Sequence, residues 1–334
     1  MVDANGGVVT NTGLEFDLRV NWIRKDDLQF TTSFNVARNK NVIVRSFHNY
    51  DSYKEAIKNQ PSKGGVINII GKEVGSIFGF KNAGVNPTTG NSQYYLTEDA
   101  KVDYARILDR WWSLSPYDRA KYSEIIKDFD TIPDKVDMIA SENSVVPDFY
   151  RTSLQYLGRT NPLLVGGFST YLKYRRFEFS TMWSYKLGHI VPLIQDYANA
   201  PLAGLSDRMT AEGYSTDLGV SHTNRERRYL GYWKREGDIT DIPKFVTGNF
   251  DLWVSSRNSD NYAKGDYLRL TNLSLSYRFD PNLLKKWNMN VLQLSLTTRN
   301  LLTFTRYRGL DVATGGAFNY PVAREASLKL TVGI

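Results

Sequence analysis

The sequence predicts an all-β fold: an antiparallel transmembrane β-barrel segment whose long outer loops contain short helices. Three observations carry that prediction. Apolar and polar residues alternate with period two along about seven segments of the 334-residue chain. The connections between those segments alternate between tight and very long. Aromatic residues reach 13%, yet no stretch approaches the roughly 20 apolar residues that a membrane-spanning helix needs.

The first segment, near 13–24, places Leu14, Phe16, Leu18, Val20 and Trp22 on one side and Glu15, Asp17, Arg19 and Asn21 on the other. After a Lys25-Asp26-Asp27 turn, the second segment, near 27–39, alternates Leu28, Phe30, Thr32, Phe34 and Val36 with polar residues, so the two read as a hairpin. A second hairpin spans about 167–175 and 176–187, turning at Arg175-Arg176 and carrying Phe177, Phe179, Trp183 and Tyr185. In the strand near 266–279 the apolar phase slips at Thr271-Asn272, which reads as a β-bulge. Leu292, Leu294 and Leu296 alternate in the strand near 289–302, and Leu328, Leu330, Val332 and Ile334 in the last, near 324–334.

Alternation alone does not say which side faces lipid, because a soluble barrel shows the same pattern turned inside out. The connections decide it better. Those at Asp26, at Arg175 and from Asp280 to Trp287 are short, whereas 46–162, 189–264 and 303–321 are long. With short turns on the periplasmic side, seven strands put all three long connections outside. A segment near Gly71–Val85 could add a strand and break this parity; it is assigned to the outer structure. Helical spacing occurs at Tyr104–Leu114 and at Ser115–Phe129, the latter with Ser115 as N-cap and Pro116 at the first helical position.

Composition sets further bounds. A mean hydropathy of −0.41 is compatible with a membrane barrel, in which alternate residues alone face lipid. The aromatic content fits a carbohydrate-binding β-sandwich equally well. The absence of cysteine removes disulfides and thiolate chemistry, and the net charge of +7 is dispersed rather than gathered into the stripe expected for nucleic-acid binding. The opening MVDANGGVVTNTGLEF lacks the basic and apolar regions of a secretory signal, so a fragment of a longer protein is expected.

The last third carries GDYLRLTNLSLSYRF, LTTRNLLTFTRYRGLDV and YPVAREASLKLTVGI. Upstream, in order, stand TNTGLEFDLRVNW, LQFTTSFNVARNKN, GSIFGFKNAGVNPTTGNSQYY, NPLLVGGFSTYLKYRRFEFSTMWSYKLG and YWKREGDITDIPKF. Together these resemble the SusC/RagA family of TonB-dependent outer-membrane transporters over nearly the whole chain. The resemblance implies the C-terminal strands of a barrel of about 22 strands, with a plug, signal peptide and TonB box lying outside this sequence. It also implies a bacterial outer-membrane location, a SusD-like surface lipoprotein partner, energy from TonB-ExbB-ExbD, and oligosaccharide or peptide as the ligand. No cofactor is implied. Family members usually end in an aromatic residue, and this chain departs from that with Ile334.

The residues expected to face lipid are Leu14, Phe16, Leu18, Phe30, Phe34, Phe177, Phe179, Leu292, Leu294, Leu296, Leu328, Leu330 and Val332. Trp111, Trp112, Tyr117, Tyr232 and Trp233 are the candidates for substrate or partner contact. Aromatic faces stack on sugars or clasp peptide side chains, although the same residues could pack the loops' own core. No catalytic or metal site is expected. The carboxylate pairs Asp128-Asp130, Asp238-Asp241 and Glu15-Asp17 read as solvated, loop-shaping or lumen groups, and His48, His189 and His222 as loop histidines. IASEN, at Ile139–Asn143, matches a cofactor-enzyme stretch by chance, lacking the strand-helix context, and the pairs Gly64-Gly65 and Gly166-Gly167 form no phosphate loop, having no following Lys-Ser/Thr before a helix. The expected function is therefore part of a nutrient importer rather than an enzyme, with a secreted carbohydrate-binding β-sandwich as the alternative.

Overall fold

The computed structural model describes residues 7–45, 65–66, 68–123, 125–137, 152–192, 231–244, 259–309, 311–314 and 321–333. His48, His222, Ile139–Asn143 and Ile334 lie outside the described residues. In chain order the strands are β1 (Val8–Arg24), β2 (Leu28–Arg45), β3 (Gly65–Val66), β4 (Ser76–Gly79), β5 (Asn82–Val85), β6 (Ser92–Tyr95), β7 (Lys135–Asp137) and β8 (Gln155–Arg159). They continue with β9 (Leu164–Tyr174), β10 (Phe177–Leu187), β11 (Ile190–Pro192), β12 (Tyr262–Lys264), β13 (Tyr267–Arg278), β14 (Val291–Thr305) and β15 (Glu325–Gly333). The described residues also form helices α1 (Glu98–Asp109), α2 (Pro116–Ser123) and α3 (Pro281–Lys285) and short 3-10 turns. The chain divides into two compact units, one built on residues 10–41, 161–191 and 264–334 and the other on 1–9, 42–160 and 192–263.

The first unit is a seven-stranded sheet in the order β1-β2-β9-β10-β13-β14-β15, so that strands successive within it are neighbours. From β2 to β15 each neighbouring pair in it is antiparallel. One row across the sheet reads Leu28, Tyr174, Phe177, Tyr277, Leu294 and Leu330, and the next on the same face Phe30, Leu172, Phe179, Leu275, Leu296 and Leu328. The opposite face carries Gln29, Lys173, Glu178, Ser276, Ser295 and Lys329 in one row. Residues in register point to the same side, so period-two alternation in each strand sums to one apolar and one polar face. On β1, the Trp22 indole donates to Thr32 Oγ1 at 2.8 Å and Thr31 donates to Asn21 at 2.9 Å, which puts Trp22 on the apolar side.

The register slips between Leu270 and Asn272, leaving Thr271 as the extra residue where the alternation changes phase. The bulge keeps both halves of β13 apolar on one face: Leu270 stays beside Trp183 while Leu273 stays beside Thr181. Several strands run further than the sequence predicts. β1 begins at Val8, β2 continues to Arg45, and β14 continues to Thr305. Ladder hydrogen bonds extend a strand past the point at which side-chain alternation fades. The three long connections leave the β2, β10 and β14 ends, which lie at the same end of the sheet, opposite the tight turns.

A β-sandwich would bury the apolar face against a second sheet. Instead Leu14, Phe16, Leu18, Phe34, Phe177, Leu294, Leu296, Leu328, Leu330 and Val332 are exposed, and Phe30, Phe179 and Leu292 are half-buried. The sandwich alternative is therefore set aside. No described helix is long and apolar enough to cross a membrane.

The second unit has its own core of Ile69, Phe78, Phe80, Tyr94, Leu96, Ala100, Tyr104, Trp111, Tyr122, Ile126, Val136 and Leu154. Gly71–Val85 supplies β4 and β5, which join small three-stranded sheets β3-β4-β8 and β5-β6-β7 rather than the large sheet. Helix α1 starts at Glu98, six residues before the predicted position, because Thr97 caps it by accepting the Ala100 amide at 3.1 Å. Ser115 caps α2 through the Asp118 amide, but the helix stops at Ser123 instead of reaching Phe129.

Candidate functional site

The residues of the second unit that could meet a ligand are set on a scaffold that two polar devices hold rigid. In the first, the Asp137 carboxylate at the end of β7 accepts hydrogen bonds from four side chains of the β5–β6 hairpin. Asn86 reaches both oxygens at 2.8 and 3.0 Å, Thr89 one at 2.5 Å, Gln93 the other at 2.8 Å, and Asn91 lies at 3.5 Å. The turn sequence NPTTGN supplies short polar side chains and Gly90 at φ 73°, the left-handed conformation that favours glycine.

The second device is the segment 231–244, which docks on that turn. The Trp233 indole lies over Gly90 and donates to the Pro87 carbonyl at 2.8 Å. The Gly237 amide bonds Pro87 at 2.9 Å and the Lys244 amide bonds Gly90 at 2.8 Å. Within the segment, Asp238 accepts the amides of Lys234 and Arg235, and the Lys234 amide is the main reason its carboxyl sits below the usual range. Asp238 is thus a loop-forming residue. Asp128 is another: its Thr131 partner and the Asp130 amide hold its carboxyl low.

Between these devices and β8 lies a cleft of about 720 Å³, lined by Lys81, Asn82, Gln155, Tyr156, Asp241 and Asp260 among others. Asn82 is fixed on its floor, its amide bonding Ser259 Oγ at 3.0 Å and its side chain bonding Asp260. Tyr156 is exposed, with its ring edge-to-face on Phe78 at 5.8 Å. The lining offers carboxylates, amides and one aromatic face, groups that can hydrogen-bond hydroxyls or amides and stack on a ring or side chain.

The five aromatic candidates separate on inspection. Trp111 is 7% exposed, a core residue packed edge-to-face on Phe129 at 5.0 Å, and Trp233 is a clamp on the hairpin. Their side chains serve the scaffold, because the 3-10 turn after α1 and the indole hydrogen bond aim them inward. Trp112 and Tyr117 are 84% and 65% exposed, and Tyr232 is half-buried with Lys234 over its ring at 5.3 Å. None of the five lines the cleft. The cleft residues come from four separated segments, and each has an ordinary loop or strand context, so no local signal marks them. Tyr104, at the core of the same unit, has its hydroxyl pushed up to about 12 by burial, with Asp128 adding to the effect.

On the polar face of the large sheet, Arg269 of β13 and Asp311 form a buried ion pair, 7% and 8% exposed. Arg269 also donates to Thr303 at 3.0 Å, and Asp311 accepts the Ala313 and Val322 amides at 2.9 and 3.0 Å. Burial alone would raise the Asp311 carboxyl. The Val322 and Ala313 amides together with Arg269 outweigh burial and hold it below the usual range. The pair ties the β14–β15 connection to the sheet, and a charge at an alternating strand position was its one sequence signal. His189 lies in the short connection between β10 and β11, as a loop histidine should, but it is buried, its Nδ1 lacks a partner, and desolvation lowers its basicity. Among the described residues, no three acidic or histidine side chains are placed to hold a metal.

No family model matches the chain. Two curated relatives from Formosa agariphila do. It is 24% identical to TonB-dependent receptor P39 over 328 residues, covering 95% of this chain and 29% of that protein. To TonB-dependent receptor P3 it is 24% identical over 313 residues, covering 92% of this chain and 25% of that protein. The chain therefore spans less than a third of the length of these relatives. Among solved structures, the RagAB peptide importer in its closed-closed state superposes with a TM-score of 0.68 at 19% identity, covering 99% of this chain and 30% of that one. The open-open state gives a TM-score of 0.63 at 19% identity over 98% and 29%. These neighbours establish the fold as a portion of a large antiparallel barrel. Along almost all of its length, then, the chain resembles TonB-dependent receptors in sequence and the SusC/RagA-like RagAB transporter in fold.

Proposed function

We propose that this chain forms the C-terminal part of the wall and outer loops of a TonB-dependent, SusC-like outer-membrane importer that takes up oligosaccharides or peptides. One observation carries the reading. A sheet with a continuous exposed apolar face and a polar face opposite, its short turns at one end and its long connections at the other, suits a wall between lipid and an aqueous channel. On this reading Leu14, Phe16, Leu18, Phe30, Phe34, Phe177, Phe179, Leu292, Leu294, Leu296, Leu328, Leu330 and Val332 face hydrocarbon. The edges at β1 and β15 pair with the remaining barrel, since open strand edges are not tolerated in lipid.

The rest of the assembly is proposed by relationship: a plug in the lumen, a SusD-like lipoprotein over the outer loops, and TonB-ExbB-ExbD supplying energy. The RagAB neighbours are described as a peptide importer, which favours peptide, while the carboxylate- and amide-lined cleft with exposed Tyr156 also suits a glycan. Trp112, Tyr117 and Tyr232 remain the aromatic contacts proposed for ligand or lipoprotein.

The test is uptake by cells carrying the intact transporter, supplied in parallel with labelled oligopeptide and oligosaccharide mixtures. Accumulation of one class should depend on both the transporter and a functional TonB. Uptake that persists without either, or recovery of the protein from the soluble fraction without detergent, overturns the proposal.

A further inference from the structure

The tight-turn end of the large sheet carries more than a boundary to the apolar face. Arg24 follows Trp22 by two residues on β1, which puts it on the apolar side, and it is exposed. Arg175 occupies the left-handed turn position at φ 54°, and its guanidinium lies 5.4 Å from the centre of the Tyr174 ring, a residue of the apolar face. The third connection, PNLLKKW, exposes Lys285, Lys286 and Trp287 and buries Leu284. Within these connections Asp280 is held by Arg176, leaving Asp26 and Asp27 as the other acids against this set of cations.

Depth fixes what such cations meet. Tyr174, Phe177, Tyr277 and Phe279 form an aromatic cluster on the apolar face at this end, with centroids 4.5 Å apart for Phe177–Tyr277 and 5.0 Å for Tyr277–Phe279. A second cluster, Phe34, Phe168, Trp183, Tyr185 and Phe304, stands at the other end of the same face. From Phe177 to Tyr185 the strand climbs about 26 Å, or about 20 Å of height at the usual barrel tilt, close to the apolar band of a membrane barrel. Arg24, Arg175, Lys285 and Lys286 therefore lie just beyond the hydrocarbon, in the layer of lipid phosphates.

We infer that the tight-turn rim of this sheet, with Arg24 and Arg175 on its lipid side and Lys285 and Lys286 in the third connection, is a binding surface for anionic phospholipid head groups. A phosphodiester with no ammonium of its own accepts from the exposed guanidinium and ammonium groups, while the neighbouring rings and Trp287 settle against the glycerol and upper acyl region. The inference rests on the wall reading given above.

The experiment uses the intact transporter in mild detergent, with native mass spectrometry following retention of short-chain phosphatidylglycerol against phosphatidylcholine. The wild type should favour phosphatidylglycerol by about tenfold or more, and 0.5 M salt should erase much of that preference. Combined Arg24→Gln, Arg175→Gln, Lys285→Gln and Lys286→Gln should abolish it, and the Lys285→Gln/Lys286→Gln pair should lower it several-fold if the fourfold variant does not assemble. Arg308→Gln/Arg324→Gln, at the opposite end, should leave it intact. Equal retention of the two lipids by the wild type, or an unchanged preference in the rim variants, overturns the inference. Normal membrane assembly in that case leaves the wall reading standing, whereas a transporter that is soluble without detergent removes both.

Discussion

Leu296→Arg tests the wall directly. Leu296 lies two residues from the centre of β14, on the apolar face between Leu275 and Leu328. Its neighbour Thr297 lies on the polar face between Ser274 and Ser327. If the apolar face meets hydrocarbon, arginine at 296 has about 2–4 kcal/mol to overcome near the midplane, or roughly 30- to 900-fold in the folding equilibrium. Leu292, one residue inside the tight-turn end of β14, is near enough to the head groups for arginine to reach them, so Leu292→Arg should cost about 0–1 kcal/mol. Thr297→Arg should be close to neutral. The assay is the folded fraction of the intact transporter in membranes, read from heat-modifiable gel mobility. The order expected is Leu296→Arg far below Leu292→Arg, with Thr297→Arg near wild type. Equal loss at 296 and 297, or no loss at either, refutes the assignment of faces.

Asp137→Ala removes the acceptor shared by Asn86, Thr89 and Gln93, and should destabilise the β5–β6 hairpin by about 1–3 kcal/mol, seen as faster hydrogen exchange at residues 86–93 with the barrel unaffected. Gly90→Ala places a methyl group against the Trp233 ring and meets about 1–2 kcal/mol from the positive φ, so proteolysis within 231–244 should rise markedly. Because the Asp311 carboxyl is lowered in the folded protein, its anchoring of the β14–β15 connection is fully present above the ordinary carboxylate pKa of about 3.9 and is lost as pH falls through its lower folded value. Exchange protection of the Ala313 and Val322 amides, corrected for intrinsic rate, should hold at pH 5 and collapse only in stronger acid; loss between pH 5 and 6 contradicts this. Arg269→Met leaves Asp311 buried without its cation and should loosen the same amides by about 3–5 kcal/mol, at neutral pH as well.

How the chain handles its polar groups links these predictions. The large sheet keeps its polar side chains on one face, where Ser276 bonds Ser295 at 2.9 Å and Ser33 bonds Ser169 at 2.7 Å. The row that crosses the apolar face at Thr32, Thr170 and Thr181 satisfies its hydroxyls locally, Thr170 and Thr181 at 2.7 Å and Thr32 from Trp22 at 2.8 Å. Local pairing lets polar atoms sit on that face, since an unpaired donor in hydrocarbon costs several kcal/mol. In the second unit the same need produces carboxylate hubs at Asp137, Asp238 and Asp128, which set loop shape.

The two-faced sheet was legible in the sequence because strand alternation is a local property: each side chain's face follows from its neighbours one residue away. The phase slip at Thr271 and the tight turns at Asp26 and Arg175 were legible for the same reason. The loops were not, because their contacts are distant in sequence. Asp137 gathers donors from 44 to 51 residues upstream, and Trp233 seats on a turn 146 residues before it. Nothing local distinguishes Trp111, which turns into the core, from Trp112, which points to solvent, and it took tertiary packing to separate them. The sequence by itself determined a two-faced antiparallel sheet with its connections sorted by length. Only the tertiary structure decided which loop residues build the scaffold and which line the cleft, because those roles depend on distances that no short-range pattern encodes.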